Sequence, residues 1–332
     1  MVPKKKLVEQ VTELLKERAH KALQLAKKSA LREDLNFPPL KNAMHYFIED
    51  WLHASHPTLL SLTCEAVGGD PNATTRTAAA LVLIAGAADV HDDIIDQSTT
   101  KDARPTVFGK FGRDITILLG DALLFKGLLM LHEACEPLME DQKRAILGLT
   151  KQAFFELGNA EALEASLRGQ LDLCPDEYQN IIRKKVSVAE AAAKMGVILG
   201  NGSPEEVERL GRYGRTLGFL MTIRDEFIDV FEPEELKNRF ENECLPLPVL
   251  NAFQESARKK KILQLLERKK ITQDEMDKIL DLVINAKENC KLGKYMWSLI
   301  EAETQRLTFI KVNYDTFVLM LQSTLQDIPY KT

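Results

Sequence analysis

The chain has 332 residues, 45% of them hydrophobic and 28% charged, with a formal net charge of -5. That balance suits a soluble globular protein with a large buried core and argues against a general nucleic-acid binder, whose surface would be basic. No low-complexity linker, long charge block or internal repeat marks a boundary, so a single domain over residues 1–332 is expected.

Apolar residues recur at helical spacing almost throughout, and no alternating β-branched run reaches strand length. An all-α bundle of about ten or more helices follows. Leu7–Ser29 reads as the first helix, and Leu40–Leu52 as the second after the Pro38-Pro39 break. Pro57 opens a short third helix that ends at Gly68-Gly69, and Asn72–Asp96 is the fourth. A loop over Gln97–Gly109 precedes the apolar helix through ITILLGDALLFKGLLML. Further helices are predicted at Glu140–Leu167, Pro175–Gly200, Pro204–Phe231, Arg258–Lys269, Thr272–Cys290 and Leu292–Leu325. The stretch from Phe231 to Arg258, with Pro233, Pro246 and Pro248, is predicted to be irregular.

The cysteines Cys64, Cys135, Cys174, Cys244 and Cys290 are scattered, with no CxxC pair, which fits a reducing compartment. MVPKKK leads into a charged amphipathic segment rather than an apolar signal region, and the most apolar stretch, about Ala78 to Ala88, is short for a bilayer span. A cytoplasmic location is expected. Lys259, Lys260, Lys261, Arg268, Lys269 and Lys270 form a basic stretch interleaved with Ile262, Leu263, Leu265 and Leu266. It reads as a solvated helix face, with peripheral membrane contact as the alternative.

Two acidic clusters stand out. Asp89, Asp92, Asp93 and Asp96 in AADVHDDIID follow the i, i+3, i+4, i+7 rule and share one helix face. Asp225, Glu226 and Asp229 in IRDEFIDV form a second set. Both are flanked by apolar sequence, LVLIAGAA and LGFLMTI, rather than by the polar residues of a solvated face. Carboxylates so placed repel one another, and a hard cation such as Mg²⁺ would neutralise them while taking phosphate oxygens into its remaining positions. Facing clusters of this kind would hold a diphosphate.

At these residues the chain resembles the all-trans isoprenyl (polyprenyl) diphosphate synthases of the class I α-helical fold. Asp92, Asp93 and Asp96 fit the first DDxxD motif of that family, and Ile117-Leu118-Leu119-Gly120-Asp121 fits the ILxGD segment. Lys185 fits the lysine of the KT motif, although Val186 replaces its threonine, and Asp225, Glu226 and Asp229 fit the second aspartate-rich motif. The resemblance runs from about Pro38 to Pro248. It implies about three Mg²⁺ ions around a bound diphosphate, held by the two motifs, with Lys185 and Arg224 as phosphate contacts. It also implies a homodimer.

The departures from the family pattern are concentrated at the site that holds isopentenyl diphosphate. His53 and Ala54 stand where a lysine and an arginine are expected, Ala85 where a histidine is, and Lys101-Asp102 where a pair of arginines is. Asn242 falls in the register of a lost lysine, Thr222 replaces a glutamine, and GQLDL at Gly169–Leu173 is one residue short of GQxxD. Each lost charge-assisted hydrogen bond to a diphosphate is worth roughly 1.5–3 kcal/mol. The pattern therefore reads first as a prenyltransferase that ionises an allylic polyprenyl diphosphate and passes the cation to an unidentified acceptor other than isopentenyl diphosphate. The alternatives are an ordinary elongating synthase whose acceptor site uses Lys101, Arg104, His53 or His56, a class I terpene synthase, and a regulatory subunit of a heteromeric synthase. A di-iron bundle would need two ExxH motifs, and only Glu17 with His20 fits.

Ala87 and Ala88 fall where family members often carry the tunnel floor, and small residues there predict a chain of about C20 or longer unless a neighbour such as Phe125 closes the space. Asp89 is read equally as widening the metal site, binding an acceptor hydroxyl or pairing with a nearby base, and His91 as a structural group.

Overall fold

The computed structural model describes residues 4–50, 54–101, 104–268, 270–325 and 328. Trp51, Leu52, His53, Asp102 and Lys269, which enter the readings above, lie outside them. The described chain is helical apart from one hairpin. Its helices are α1 (Lys4–Leu31), α2 (Pro38–Asp50), α3 (Ser55–Ala66), α4 (Thr75–Ile95), α5 (Val107–Phe111), α6 (Arg113–Cys135), α7 (Glu140–Ser166), α8 (Pro175–Lys185), α9 (Ser187–Leu199) and α10 (Pro204–Phe231). They continue as α11 (Pro233–Asn242), α12 (Leu247–Phe253), α13 (Ser256–Leu266), α14 (Gln273–Ile284), α15 (Lys287–Arg306) and α16 (Tyr314–Ser323). Strands β1 (Thr100–Lys101) and β2 (Arg104–Pro105) pair antiparallel, with Lys101 opposite Arg104.

Local chemistry sets several ends. At α10 the Ser203 hydroxyl accepts the Glu206 N–H at 3.3 Å and the Glu206 carboxylate takes the Ser203 N–H at 2.7 Å, with Pro204 in the first turn. Thr272 and Glu275 cap α14 in the same way. The predicted helix over Pro175–Gly200 is instead two, interrupted at Val186, so Lys185 ends one helix and is turned into the centre of the bundle. The stretch expected to be irregular carries α11 and α12, because Pro233 and Pro248 fall in first turns, where their missing N–H groups are not needed. The long C-terminal helix breaks between α15 and α16 around Asn313, whose φ is +62°.

One cluster of buried apolar side chains extends from Ala19 of α1 to Ile328. Within it α4 packs along α6, and α9 is enclosed by α3, α7 and α10. Close approaches rest on small residues. A Cβ at Gly214 would lie 2.6 Å from the Ala189 carbonyl oxygen, so α10 reaches α9 only through glycine. Among the described residues α6, rather than Ala78–Ala88, is the helix long and apolar enough to cross a membrane by length and composition, with a mean hydropathy of 1.7. One side of α6 packs on α4, while Leu118, Phe125, Leu128 and Leu129 on it are exposed. On α13, Ile262 and Leu266 are turned inward, and Lys259 donates to the Leu171 carbonyl at 3.1 Å, so the apolar side of this basic helix is spent on protein contacts.

Candidate active site

Asp92 and Asp93 lie in the last turn of α4 with Asp96 at its C-terminal cap, and Asp225, Glu226 and Asp229 lie near the C-terminal end of α10. Both sets sit at the negative end of a helix dipole, which makes their charge harder to hold. All six line one cavity of about 430 Å³, together with Glu164, Glu232, Glu235 and Glu243. Against these ten carboxylates the cavity presents Lys101, Lys185 and Arg239. Burial, then Asp96 and Glu161, push the Asp92 carboxyl well above the usual carboxylate range. Burial likewise raises Asp93 to about 7, Asp229 to about 7 and Asp225 to about 6.

Lys185 and Arg239 are held by carboxylates, and Lys101 lies in the field of others. The Lys185 ammonium lies 2.5 Å from Glu164 Oε2 and 3.1 Å from Glu161 Oε2; burial works to lower its pKa, and Glu164, Glu161 and Asp92 more than offset that. Lys101 is raised in the same sense, with burial opposed by Asp89, Asp93 and Asp92. Arg239, on α11, bonds Asp229 Oδ2 at 3.0 Å, Glu226 Oε1 at 3.0 Å and the Tyr178 hydroxyl at 2.7 Å. Outside that set, Arg168 donates to Asp96 Oδ1 at 2.8 Å.

Lys185, Thr222 and Asp225 also line a second cavity of about 420 Å³, whose other walls are mostly apolar: Leu59, Leu81, Ile84, Ala88, Leu157, Met195 and Leu217 among them. The acidic and apolar cavities therefore share a border. An anionic head in the first and a hydrocarbon tail in the second is the ligand shape they fit.

Several residues singled out in the sequence lie elsewhere. Ala87 is 1% exposed and packed in the core, and only Ala88 of the pair lines the apolar cavity, because neighbours on a helix point about 100° apart. Asp89 lines the apolar cavity rather than the acidic one. Phe125 is 66% exposed on α6 and does not line the apolar cavity. Arg224 is absent from both linings, one position round the helix from Asp225, whose raised carboxyl its charge partly pulls back. Arg104 stacks 4.0 Å over the Tyr46 ring and donates to its hydroxyl at 2.9 Å. The expected GQLDL segment lies in the turn after α7, where Asp172 is 94% exposed. His91 is the structural group expected: its Nε2 lies 3.3 Å from the Ile117 carbonyl and 3.4 Å from Asp121, and a Cβ at Gly120 would strike its ring at 2.3 Å.

Sequence reasoning missed Glu161, Glu164, Tyr178, Arg239 and Glu243. The i, i+3 spacing of Glu161 and Glu164 on a predicted helix was the available signal.

No three carboxylates form a preformed metal cage among the described residues. The donor set still suits Mg²⁺, which takes one or two carboxylates and completes its octahedron with water and phosphate. The electrostatics give a testable sign. Asp93, Asp229 and Asp225 have folded-state pKa values above their ordinary 3.8, so the folded state binds more protons than the unfolded one across that window. Their destabilising effect is complete above the folded values and vanishes below the unfolded ones. The metal-free protein is expected to melt at a lower temperature at about pH 8 than at about pH 6, with Mg²⁺ and diphosphate restoring the share that Asp93 and Asp225 contribute. A melting curve flat or rising over that range in calorimetry would remove the repulsion argument.

An all-α bundle with two facing acidic helices above an apolar cavity defines a class I isoprenoid synthase fold. Residues 38–283 match the Polyprenyl synthetase family, and the chain belongs to that family. It is 34% identical over 180 residues to a short chain isoprenyl diphosphate synthase of Methanothermobacter thermautotrophicus, a match covering 54% of each chain, so it spans about half the length of that relative. It is 30% identical over 226 residues to a geranylgeranyl diphosphate synthase of Methanosarcina mazei, covering 66% of this chain and 69% of that one. In fold it is similar to the crystal structure of geranylgeranyl pyrophosphate synthetase from Pyrococcus horikoshii, with a TM-score of 0.81 at 23% identity over 96% of this chain and 99% of that one.

Proposed function

We propose that the protein is a Mg²⁺-dependent prenyltransferase that ionises an allylic prenyl diphosphate and elongates it with isopentenyl diphosphate to a chain of about C20. The observation that carries this is the shared border of the acidic and apolar cavities at Lys185, Thr222 and Asp225, which sets the diphosphate end beside the space for the tail. Relatives named as geranylgeranyl diphosphate synthases favour elongation over the transfer to another acceptor that the sequence reading put first. Asp92, Asp93, Asp96 and Asp225 would hold the metal, and Lys185 would leave Glu161 and Glu164 to meet the phosphate. Bound Mg²⁺ would supply Lewis acidity, stabilising charge on the departing diphosphate oxygens. The apolar walls around Ala88 and Met195 would keep water from the allylic cation.

A second reading, transfer to a different acceptor, is supported by Ala85, which lines the apolar cavity where the family has a histidine, and by Asn242, whose amide donates to Asn238 at 2.7 Å. A homodimer is part of the proposal, since Leu118, Phe125 and Leu129 of α6 with Phe154 and Phe155 of α7 are exposed apolar groups that a second copy would cover. The test is Mg²⁺-dependent turnover with geranyl, farnesyl, geranylgeranyl and geranylfarnesyl diphosphates, each with and without isopentenyl diphosphate, read by mass spectrometry. Elongated diphosphates support the first reading. Diphosphate release without elongation moves the assignment to the second or to a cyclising enzyme, and no release sinks all of them. Sedimentation as a monomer would remove the dimer.

A further inference from the structure

The two acidic clusters are not equivalent in what balances them. Around the second cluster every arm of the Arg239 guanidinium is used. Nε donates to the Cys244 carbonyl at 2.8 Å and lies 3.3 Å from Glu243 Oε2. Nη1 reaches Asp229 at 3.0 Å, and Nη2 reaches Tyr178 at 2.7 Å and Glu226 at 3.0 Å. The remaining Glu226 oxygen accepts the Leu247 N–H at 2.7 Å, at the start of α12, and Glu226 is only 6% exposed. Glu226 thus has both oxygens engaged inside protein, unlike the ligand expected from its motif position. Arg239 is itself 8% exposed.

A guanidinium remains charged at any working pH, and its planar fork holds two carboxylates at once. A metal admitted between Glu226 and Asp229 would either crowd a second cation against the buried guanidinium or force that guanidinium away from two of its carboxylate partners, and both are unfavourable. The first cluster is balanced differently: Arg168 donates to Asp96 Oδ1 at 2.8 Å, and the charges of Lys185 on Asp92 and Asp96 and of Lys101 on Asp93 supply the rest. Arg239 makes no bond to Asp225, which lines both cavities.

We propose that Arg239 is a built-in cation standing in for a metal ion at Glu226 and Asp229, so that diphosphate is bound with about two Mg²⁺ ions on Asp92, Asp93, Asp96 and Asp225 rather than about three. This rests on the reading of the cavity as a diphosphate site and changes its metal count. Two consequences follow: Glu226 and Asp229 stay assembled in the presence of a chelator, and the metal dependence of diphosphate binding is less steep than a three-ion site would give.

The test counts Mn²⁺ bound per protomer in the presence of saturating inorganic diphosphate, by equilibrium dialysis with paramagnetic resonance of the free ion. About two ions for the wild type and about one more for Arg239→Gln are expected. Three in the wild type, or no gain in Arg239→Gln with its helical circular dichroism intact, overturns the inference and leaves the diphosphate site standing. No Mn²⁺ held with diphosphate by either protein overturns the diphosphate site as well. Should Arg239→Gln not fold, anomalous scattering from wild-type crystals grown with Mn²⁺ and diphosphate decides: a metal peak between Glu226 and Asp229 overturns the inference, and the guanidinium in that place sustains it.

Discussion

Replacing Asp92 by alanine is expected to lower Mg²⁺-dependent diphosphate release by roughly a thousandfold or more, about 4 kcal/mol of transition-state stabilisation, while raising the melting temperature of the metal-free protein at about pH 8. The two effects have one cause. Burial and the neighbouring Asp96 and Glu161 push the Asp92 carboxyl well above its ordinary range, so in the absence of metal its charged form destabilises the fold. A carboxylate kept for packing would behave oppositely. Glu164, in the same cavity, is held below its ordinary value, because Lys185, Arg239 and Tyr178 more than offset its burial; removing it should cost stability. Turnover assays beside calorimetry on Asp92→Ala and Glu164→Ala separate the roles. Activity within tenfold of wild type for Asp92→Ala, or a lower melting temperature, would contradict the assignment.

The same contrast explains which parts of the molecule could be read in advance. Asp92, Asp93 and Asp96 were visible because their spacing and apolar flanks are both local. The start of α10 was visible because Ser203, Pro204 and Glu206 carry its signal within four consecutive positions. Arg239 was not visible, since Glu235, Arg239 and Glu243 recur at i, i+4 like the charges of a solvated helix. Its partners come from α8, α10 and the segment before α12, and only the folded chain brings them together. Glu161 and Glu164 were hidden by GQLDL, a better sequence match that folds into the turn beyond α7 and exposes its aspartate. The break at Val186 had no proline or glycine to announce it, yet it is what turns Lys185 towards Glu161 and Glu164.

Ala88→Phe is expected to shorten the longest prenyl product by about one five-carbon unit or more, and Ala87→Phe is expected to destabilise the fold by about 1–3 kcal/mol without selecting a shorter product. In sequence the two alanines are interchangeable candidates for the tunnel wall. In the structure Ala88 borders the apolar cavity with Leu157 and Met195, whereas Ala87 is buried in the interior behind it. A phenyl ring at position 88 would occupy space that a tail needs, leaving the carboxylates of the next turn in place to ionise shorter substrates. A ring at position 87 has no cavity to enter and must displace its neighbours, which is the penalty of an overpacked core. Mass spectrometry of products and thermal melts on both variants decide the matter together. Unchanged product length for Ala88→Phe would mean that the tail does not run past α4. A shorter product from a stably folded Ala87→Phe would mean that the tunnel lies one residue round the helix.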